Sequence, residues 1–524
     1  MSGRQTLMFR QLGREFQRRG WLAKPVTVDS FVTARSYLAR LAGSGDGGAV
    51  QVYGMLCPAV VDRDAETAAA LETSFLAGTS DGEGDGPWAA EALLADCLPG
   101  LLPDGPCHAL EEMRRQAPPS ADFLMNYGYR CLGPILALFG RWVWRQWRAS
   151  GRGLLVGLLR DGRLLGQGLA AVCPEAESVL REAWLSRRMC LTAAIRSADD
   201  RDGLRTALIR ARGVPVTVGV ALAELGLTAE GRGCPLPPGR RLDAAGFDAF
   251  CDWLAGRAAL RDELDRHCRG LRRAVIGHLD AANVLDRNGI GGGGIGLVDI
   301  GYAGNLQRVL AIILSAENRS TPLWGAYLIT SEGALWTAAT AGPVSGYLAG
   351  YGGPSWLSSL WLRAREVFES LLAQPFGALK GYGGDGVAMP DDPALPPAQL
   401  SEIARIQKGA LAFARHWGGQ TTDDADDADE PVRLAQLRLI AARMLLLPSA
   451  ELRWLGNWLC DDTLALGEPR RLTEPVTSAR DAFLAPRARL LWPAGSAVAH
   501  AAATPPDLLA AWIARRAEGR SQER

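Results

Sequence analysis

Lysine is nearly missing from this chain: Lys24, Lys380 and Lys408 are the only ammonium side chains in 524 residues, beside five histidines. Its 57 positive groups are therefore almost all arginine, and 57 Asp and Glu balance them to a formal net charge of zero. That balance argues against a protein that binds nucleic acid by neutralising phosphates along a basic face. No run of about 18 apolar residues occurs, so no segment is expected to span a membrane. Met1 to Lys24 is basic but lacks the apolar core of a signal peptide, which points to the cytoplasm. Ten cysteines are scattered without one Cys-x-x-Cys pair, which removes the usual zinc spacing. A disulfide scaffold does not suit so long and apolar a chain, and the thiols read as small buried hydrophobes. His267 and Cys268 are neighbours, but adjacent residues on a helix point in different directions and make a poor base and nucleophile.

With 48% hydrophobic residues, the chain has material for about two to four domains and a sizeable core. Its most informative stretch is 295–310, Ile-Gly-Leu-Val-Asp-Ile-Gly-Tyr-Ala-Gly-Asn-Leu-Gln-Arg-Val-Leu. An apolar run ends in Asp299, two glycines follow three apart, and a helical period resumes. This order predicts a buried strand, a tight loop and a helix whose first amides face the loop, a setting that favours anions such as phosphate. Gly301, Gly304 and Asn305 are the expected cradle. A second tip of the same kind is expected where the strand Leu154–Leu159 runs into Arg160, Asp161 and Gly162.

Helical spacing recurs over 7–43, and a Gly-, Asp- and Pro-rich stretch at 78–107 marks a boundary. From there the expected organisation is a mainly helical region at 1–120 and an α/β module at 121–420. An acidic linker at 421–430 and a helical extension at 431–524 complete it. Alternating strands and helices in the module predict a Rossmann-like, doubly wound, mostly parallel sheet with flanking helices. Residues 132–147 read as a long apolar helix carrying Trp142, Trp144 and Trp147, suited to a core or an interface. Residues 323–330 read as a strand, 355–372 as one amphipathic helix, and 431–447 as another. Glu366 and Glu369 share a face of the 355–372 helix, where Arg363 or Arg365 can pair with them. The Asp-rich run at 421–430 lacks the spaced ligands of a metal cage. His278 is read as structural.

A series of short motifs resembles one family in order and spacing. They are Tyr129-Arg-Cys-Leu-Gly-Pro134, Leu158-Leu-Arg-Asp-Gly162, Trp184-Leu-Ser-Arg-Arg188, Val298 to Gln307, Glu369 through Gly381-Tyr382, and Ile406-Gln-Lys-Gly409. Together they resemble the C-terminal module of bacterial haloacid dehalogenase-like hydrolases associated with surface-polysaccharide assembly, over roughly 120–495. The resemblance implies work beside glycosyltransferases, and it gives Glu369 a family-like position. The phosphatases of that superfamily use a nucleophilic Asp, a second Asp two residues on, a Thr or Ser, a Lys and a magnesium-binding carboxylate pair. Here Phe9 to Arg40 resembles the helical cap that follows the nucleophile strand, with Met1 where those helices begin. Asp62-Arg-Asp64 is the only Asp-x-Asp behind an apolar run, with Glu66 in place of Thr. The expectation is that phosphatase chemistry is lost.

Three functional expectations follow. In the first, the chain binds a phosphorylated small molecule, a nucleotide sugar or phosphosugar. Asp161, Asp299 and Glu369 are then the catalytic candidates, and Asp161 and Asp299 would hold magnesium if a metal is used. Arg160, Gly162, Arg187, Arg188, Gly301, Gly304 and Asn305 would contact phosphate. In the second, the 298–304 loop resembles the pyrophosphate loop of phosphoribosyltransferases, though with one acidic residue where that family has two. In the third, the chain is a silent scaffold or regulatory partner of a glycosyltransferase complex. The first requires Asp161 and Asp299 to meet at one open cleft; the third predicts them apart or paired by arginines.

Overall fold

A computed structural model of the chain describes residues 108–116, 122–150, 153–159, 161–208, 216–227, 233–285, 294–319, 321–350, 355–420, 430–448, 452–461, 469–486, 489–503, 507–508, 511–512 and 515. The expected helices at 7–43, the Asp62-Arg-Asp64 pair, Arg160 and most of the acidic linker lie outside these residues.

Five segments become strands: β1 (Leu154–Leu159), β2 (Leu180–Trp184), β3 (Ile295–Tyr302), β4 (Leu323–Thr330) and β5 (Val344–Ala349). All pair in parallel, in the order β2-β1-β3-β4-β5. A parallel sheet needs apolar cover on both faces, and the mostly apolar β1, β3, β4 and β5 supply it, while the edge strand β2 carries Arg181 and Glu182. Alternation divides the side chains. Leu155, Val298, Ile300 and Leu328 enter one core, while Val156, Leu158, Ile295 and Leu297 enter the other. The first core takes in α1 (Gly133–Ala149) and α2 (Asp161–Val172) through Ile135, Phe139, Leu165 and Leu169. The second receives α3 (Arg187–Ala193), α4 (Ala258–Ala281) and α5 (Asn305–Ala316) through Cys190, Val275, Leu279, Val309 and Ile313. The α/β class and the strands read at 154–159 and 323–330 are therefore present.

Three features depart from a simple alternation. Between α3 and α4 the chain inserts helices at Arg201–Leu208, Val218–Glu224 and Ala244–Ala255. These helices pack with the first half of α4 around Phe247, Phe250, Leu204 and Leu264, a core of their own. The expected single helix over 355–372 is two, α7 (Ser355–Arg363) and α8 (Arg365–Leu372), because Ala364 leaves helical geometry at φ −134° and ψ 32°. Arg363 ends α7 by donating to the carbonyls of Leu490, Ala482 and Ala485, which ties that helix to the C-terminal segment. Finally, α10 (Glu430–Leu446) and residues Leu490, Leu491 and Trp492 share the first core with the sheet, so the C-terminal extension is packed into the module.

Helix α1 is entered through a π-helical turn, Gly128–Leu132, which crosses α9 (Pro397–Gln420) backbone against backbone. An added Cβ at Gly128 would strike the carbonyl of Ile406, and one at Gly409 the carbonyl of Met125. Tyr129 also meets Phe413 edge to face, at 5.2 Å between ring centroids. Two of the quoted motifs, at 129–134 and 406–409, are thus the two halves of one close helix crossing. The tryptophans of α1 belong to packing as well: Trp144 is buried and stacks on Trp147 at 4.5 Å.

Candidate functional site

The strand order reverses between β1 and β3, and in open α/β sheets ligands collect beyond the carboxyl ends of strands at such a point. A cavity of about 600 Å³ lies there, open to solvent and lined by Leu159, Asp161, Trp184, Arg187, Arg188 and Asp299 from the exits of β1, β2 and β3. Its other walls come from Gly301 and Tyr302, from Arg365, Glu369 and Ser370 on α8, and from 373–380 and 391–395.

Asp161 reaches the cavity because it is the first residue of α2, laid directly on the sheet. Gly162 behind it has no side chain to hold α2 away: a Cβ there would meet the carbonyl of Val298 at 2.6 Å. Asp299 stands on the opposite face parity from Val298 and Ile300, near the end of β3. Burial pushes its carboxyl well above the usual carboxylate range, and the charge of Asp161 pushes the same way. The Ile300 amide and the Arg187 guanidinium act against that shift, while Glu369 adds to it. Asp161 and Asp299 thus feel each other across one cleft.

Arg187 opens α3, whose N-terminus is capped by Ser186, the acceptor for the Met189 amide. Among the described residues, the side chains of Arg187 and Arg188 make no hydrogen bond or ion pair. Arg365 behaves differently. It sits 3.4 Å from Glu366 and 3.5 Å from Glu369, with its guanidinium 5.5 Å from the centroid of the Tyr302 ring. The Tyr302 hydroxyl donates to Glu369 Oε1 at 3.2 Å, and burial raises its pKa well above that of a free phenol. Arg365 forms ion pairs with both glutamates, and the charge of Glu366 also acts on Arg363.

The expected phosphate cradle is smaller than the sequence suggested. Gly301 lines the cavity, but Gly162, Gly304 and Asn305 do not. Gly304 takes a left-handed conformation (φ 65°) beneath Thr337 of α6 (Ala334–Ala341), whose hydroxyl donates to the Ala303 carbonyl at 2.6 Å. That tie draws the loop toward α6. Gly301 (φ 125°) is a glycine because a Cβ would strike the carbonyl of Ile329 on β4. Of the proposed residues, the cavity gathers Asp161, Asp299, Glu369, Arg187, Arg188 and Gly301.

Three wall residues escaped the sequence reading. Tyr302 stood inside the motif but was passed over for its glycines. Lys380, exposed on β6 (Leu379–Tyr382) and 2.8 Å from Asp391, is far along the chain from both strand tips, Asp161 and Asp299. Phe376 lies in an irregular segment with no periodic signal. His278 is structural, as read. Its Nε2 accepts the Trp184 amide at 2.9 Å, so Nδ1 carries the proton and donates to the Gly386 carbonyl at 2.9 Å. Cys268 is buried, with its thiol pushed up to about 12, which leaves it no nucleophilic role.

Among the described residues no group of three or more His, Cys, Asp or Glu is arranged to hold a metal ion. Magnesium commonly takes only one or two protein carboxylates, the remainder coming from water and substrate phosphate. The mutual repulsion of Asp161 and Asp299 is compatible with such a donor pair. No helix among the described residues is long and apolar enough to cross a membrane. Comparison with family models and with curated proteins yields no match for this chain.

Proposed function

We propose that the chain binds a phosphorylated sugar, as a phosphosugar or nucleotide sugar, in the cavity beyond β1, β2 and β3. On this reading it is a divergent relative of the haloacid dehalogenase-like proteins of bacterial polysaccharide assembly. The observation that carries it is the pairing of opposite chemistries in one cleft: carboxylates at Asp161 and Asp299 facing the guanidinium of Arg187. Arg187 and Arg188 would take phosphate oxygens, since an arginine fork matches phosphate geometry. Asp161, Asp299 and Glu369 would take sugar hydroxyls, with the raised pKa of Asp299 letting it hold a proton for a leaving oxygen. If magnesium is used, Asp161 and Asp299 would hold it, and it would neutralise phosphate charge. The scaffold reading expects these carboxylates separately buried or paired by arginines, and their shared cavity speaks against the first of those alternatives.

Thermal-shift measurements with glucose 1-phosphate, UDP-glucose and phosphoribosyl pyrophosphate, each with and without magnesium, test the proposal. A ligand of the native state at 100 times its Kd stabilises it by about 2.7 kcal/mol. The expected outcome is a raised melting temperature with at least one sugar phosphate, abolished in Arg187→Ala. A response to phosphoribosyl pyrophosphate alone would favour the transferase reading, and no response to any of the three would remove the binding proposal.

A further inference from the structure

One wall of the cavity is aromatic. Trp184 ends β2 and Phe376 faces it from the 373–377 segment, their ring centroids 4.4 Å apart at 50°, both half-buried and both lining the cavity. Trp184 is held with unusual care for the last residue of an edge strand, where backbone groups ordinarily go to water. Its amide is accepted by His278 Nε2 at 2.9 Å, and its carbonyl receives the Tyr382 hydroxyl at 2.7 Å. His278 and Tyr382 stack on each other at 4.9 Å, so one aromatic pair, with His278 buried and Tyr382 half-buried, fixes both backbone groups of Trp184. Phe376 is fixed from its flanks, where the Ala373 carbonyl accepts from Gln407 and the Gly377 amide donates to Asp391. The backbone on both sides of the wall is thus fixed, the Arg163 guanidinium lies 5.6 Å from the Phe376 ring centroid, and an aromatic wall on a fixed backbone is preorganised for stacking.

The size of the cavity points the same way. Sites that enclose drug-sized ligands run to roughly 300–1,000 Å³. The cavity here, at about 600 Å³, exceeds what a phosphorylated hexose fills. With the arginines assigned to phosphate and the carboxylates to sugar hydroxyls, the aromatic wall is left for a planar ring, since every nucleobase has a face that stacks on an aromatic side chain. We infer that the ligand is nucleotide-linked, with its base stacked on the Trp184–Phe376 wall. This inference rests on the sugar-phosphate reading above and selects between its two ligand classes.

Calorimetric titration of wild-type protein and Trp184→Ala with UDP-glucose, GDP-mannose, their nucleoside monophosphates UMP and GMP, and glucose 1-phosphate tests it. The expected result is tighter binding of a nucleotide sugar than of glucose 1-phosphate, measurable binding of the matching monophosphate, and a loss of about tenfold or more for both nucleotides in Trp184→Ala. Glucose 1-phosphate affinity should be unchanged in that variant, and Trp184→Phe should recover most of the nucleotide affinity. Equal losses for all ligands, or none, would overturn the inference. Binding of glucose 1-phosphate without any nucleotide would overturn it and leave the sugar-phosphate reading standing; binding of no ligand would end both.

Discussion

Asp299 is costly where it is. Its raised pKa means that the folded state holds a proton which the unfolded chain releases near the ordinary value of 3.8. Stability is therefore lost as pH rises from that value toward the folded pKa, and the full penalty is present above it. Asp299→Asn removes the penalty, so its melting temperature should exceed that of the wild type at neutral pH, with the gap closing as pH falls toward 4 in a thermal-melt series. The same variant should bind sugar phosphates more weakly, which is the trade expected of a group kept for function at the expense of stability. Arg365 is the converse case. Glu366 is 1% exposed and draws on the Arg365 guanidinium, so Arg365→Ala should destabilise by about 3 kcal/mol in urea titration, with Arg365→Ala/Glu366→Gln recovering much of the loss. Of the site residues, Asp161 and Asp299 were legible because each stands at the end of a short apolar run, and Arg187 because it lies in the family-like motif at 184–188. Tyr302, Phe376 and Lys380 were not, since nothing local distinguishes a cavity wall from a core or a surface.

Elements were legible where period and composition agree. The helix read at 431–447 is found at Glu430–Leu446, and the strand at 323–330 is found at those residues. The break at Ala364 was illegible because the amphipathic period continues through it, and the anchors of Arg363 lie some 120 positions away. Close crossings are also invisible locally: nothing in the neighbouring sequence marks Gly128 or Gly409, yet each admits a partner backbone. Gly409→Ala should cost about 1–3 kcal/mol by denaturant melt, whereas a glycine-to-alanine change at an exposed helix site is usually favourable. Gln307 is a comparable case. It lies in the 298–307 motif, but it is fully buried and donates to the carbonyls of Ala341, Gly342 and Pro343, closing a turn away from the cavity lining. His278 latches β2 to the hairpin of β6 and β7 (Ala388–Pro390), and His278→Ala should cost about 1–3 kcal/mol by leaving the Trp184 amide and Gly386 carbonyl unpaired. Burial lowers the pKa of His278, so the unfolded state takes up its proton first. Stability is then lost as pH falls through about 6.5, and the acid limb of the His278→Ala melt profile should be flatter than that of the wild type.

At the scale of the whole molecule, the C-terminal segment completes the sheet's first core. Leu445, Leu446, Leu491 and Trp492 are all buried there with Leu155 and Val298. Truncation after residue 430 should therefore abolish a cooperative thermal transition by circular dichroism, where an independent extension would leave the α/β module folded. The sequence alone determined the class of this molecule. Apolar runs of strand length alternating with amphipathic helical periods can bury themselves only as a parallel sheet covered on both faces, and that requirement is local. Tertiary structure decided the site. The order β2-β1-β3-β4-β5 places the ends of β1 and β3 side by side although they are about 140 positions apart, and brings α8 and the 373–380 segment over them. No residue carries that information by itself, because meeting at a cleft is a property of how distant surfaces pack, whereas forming a strand is a property of neighbours along the chain.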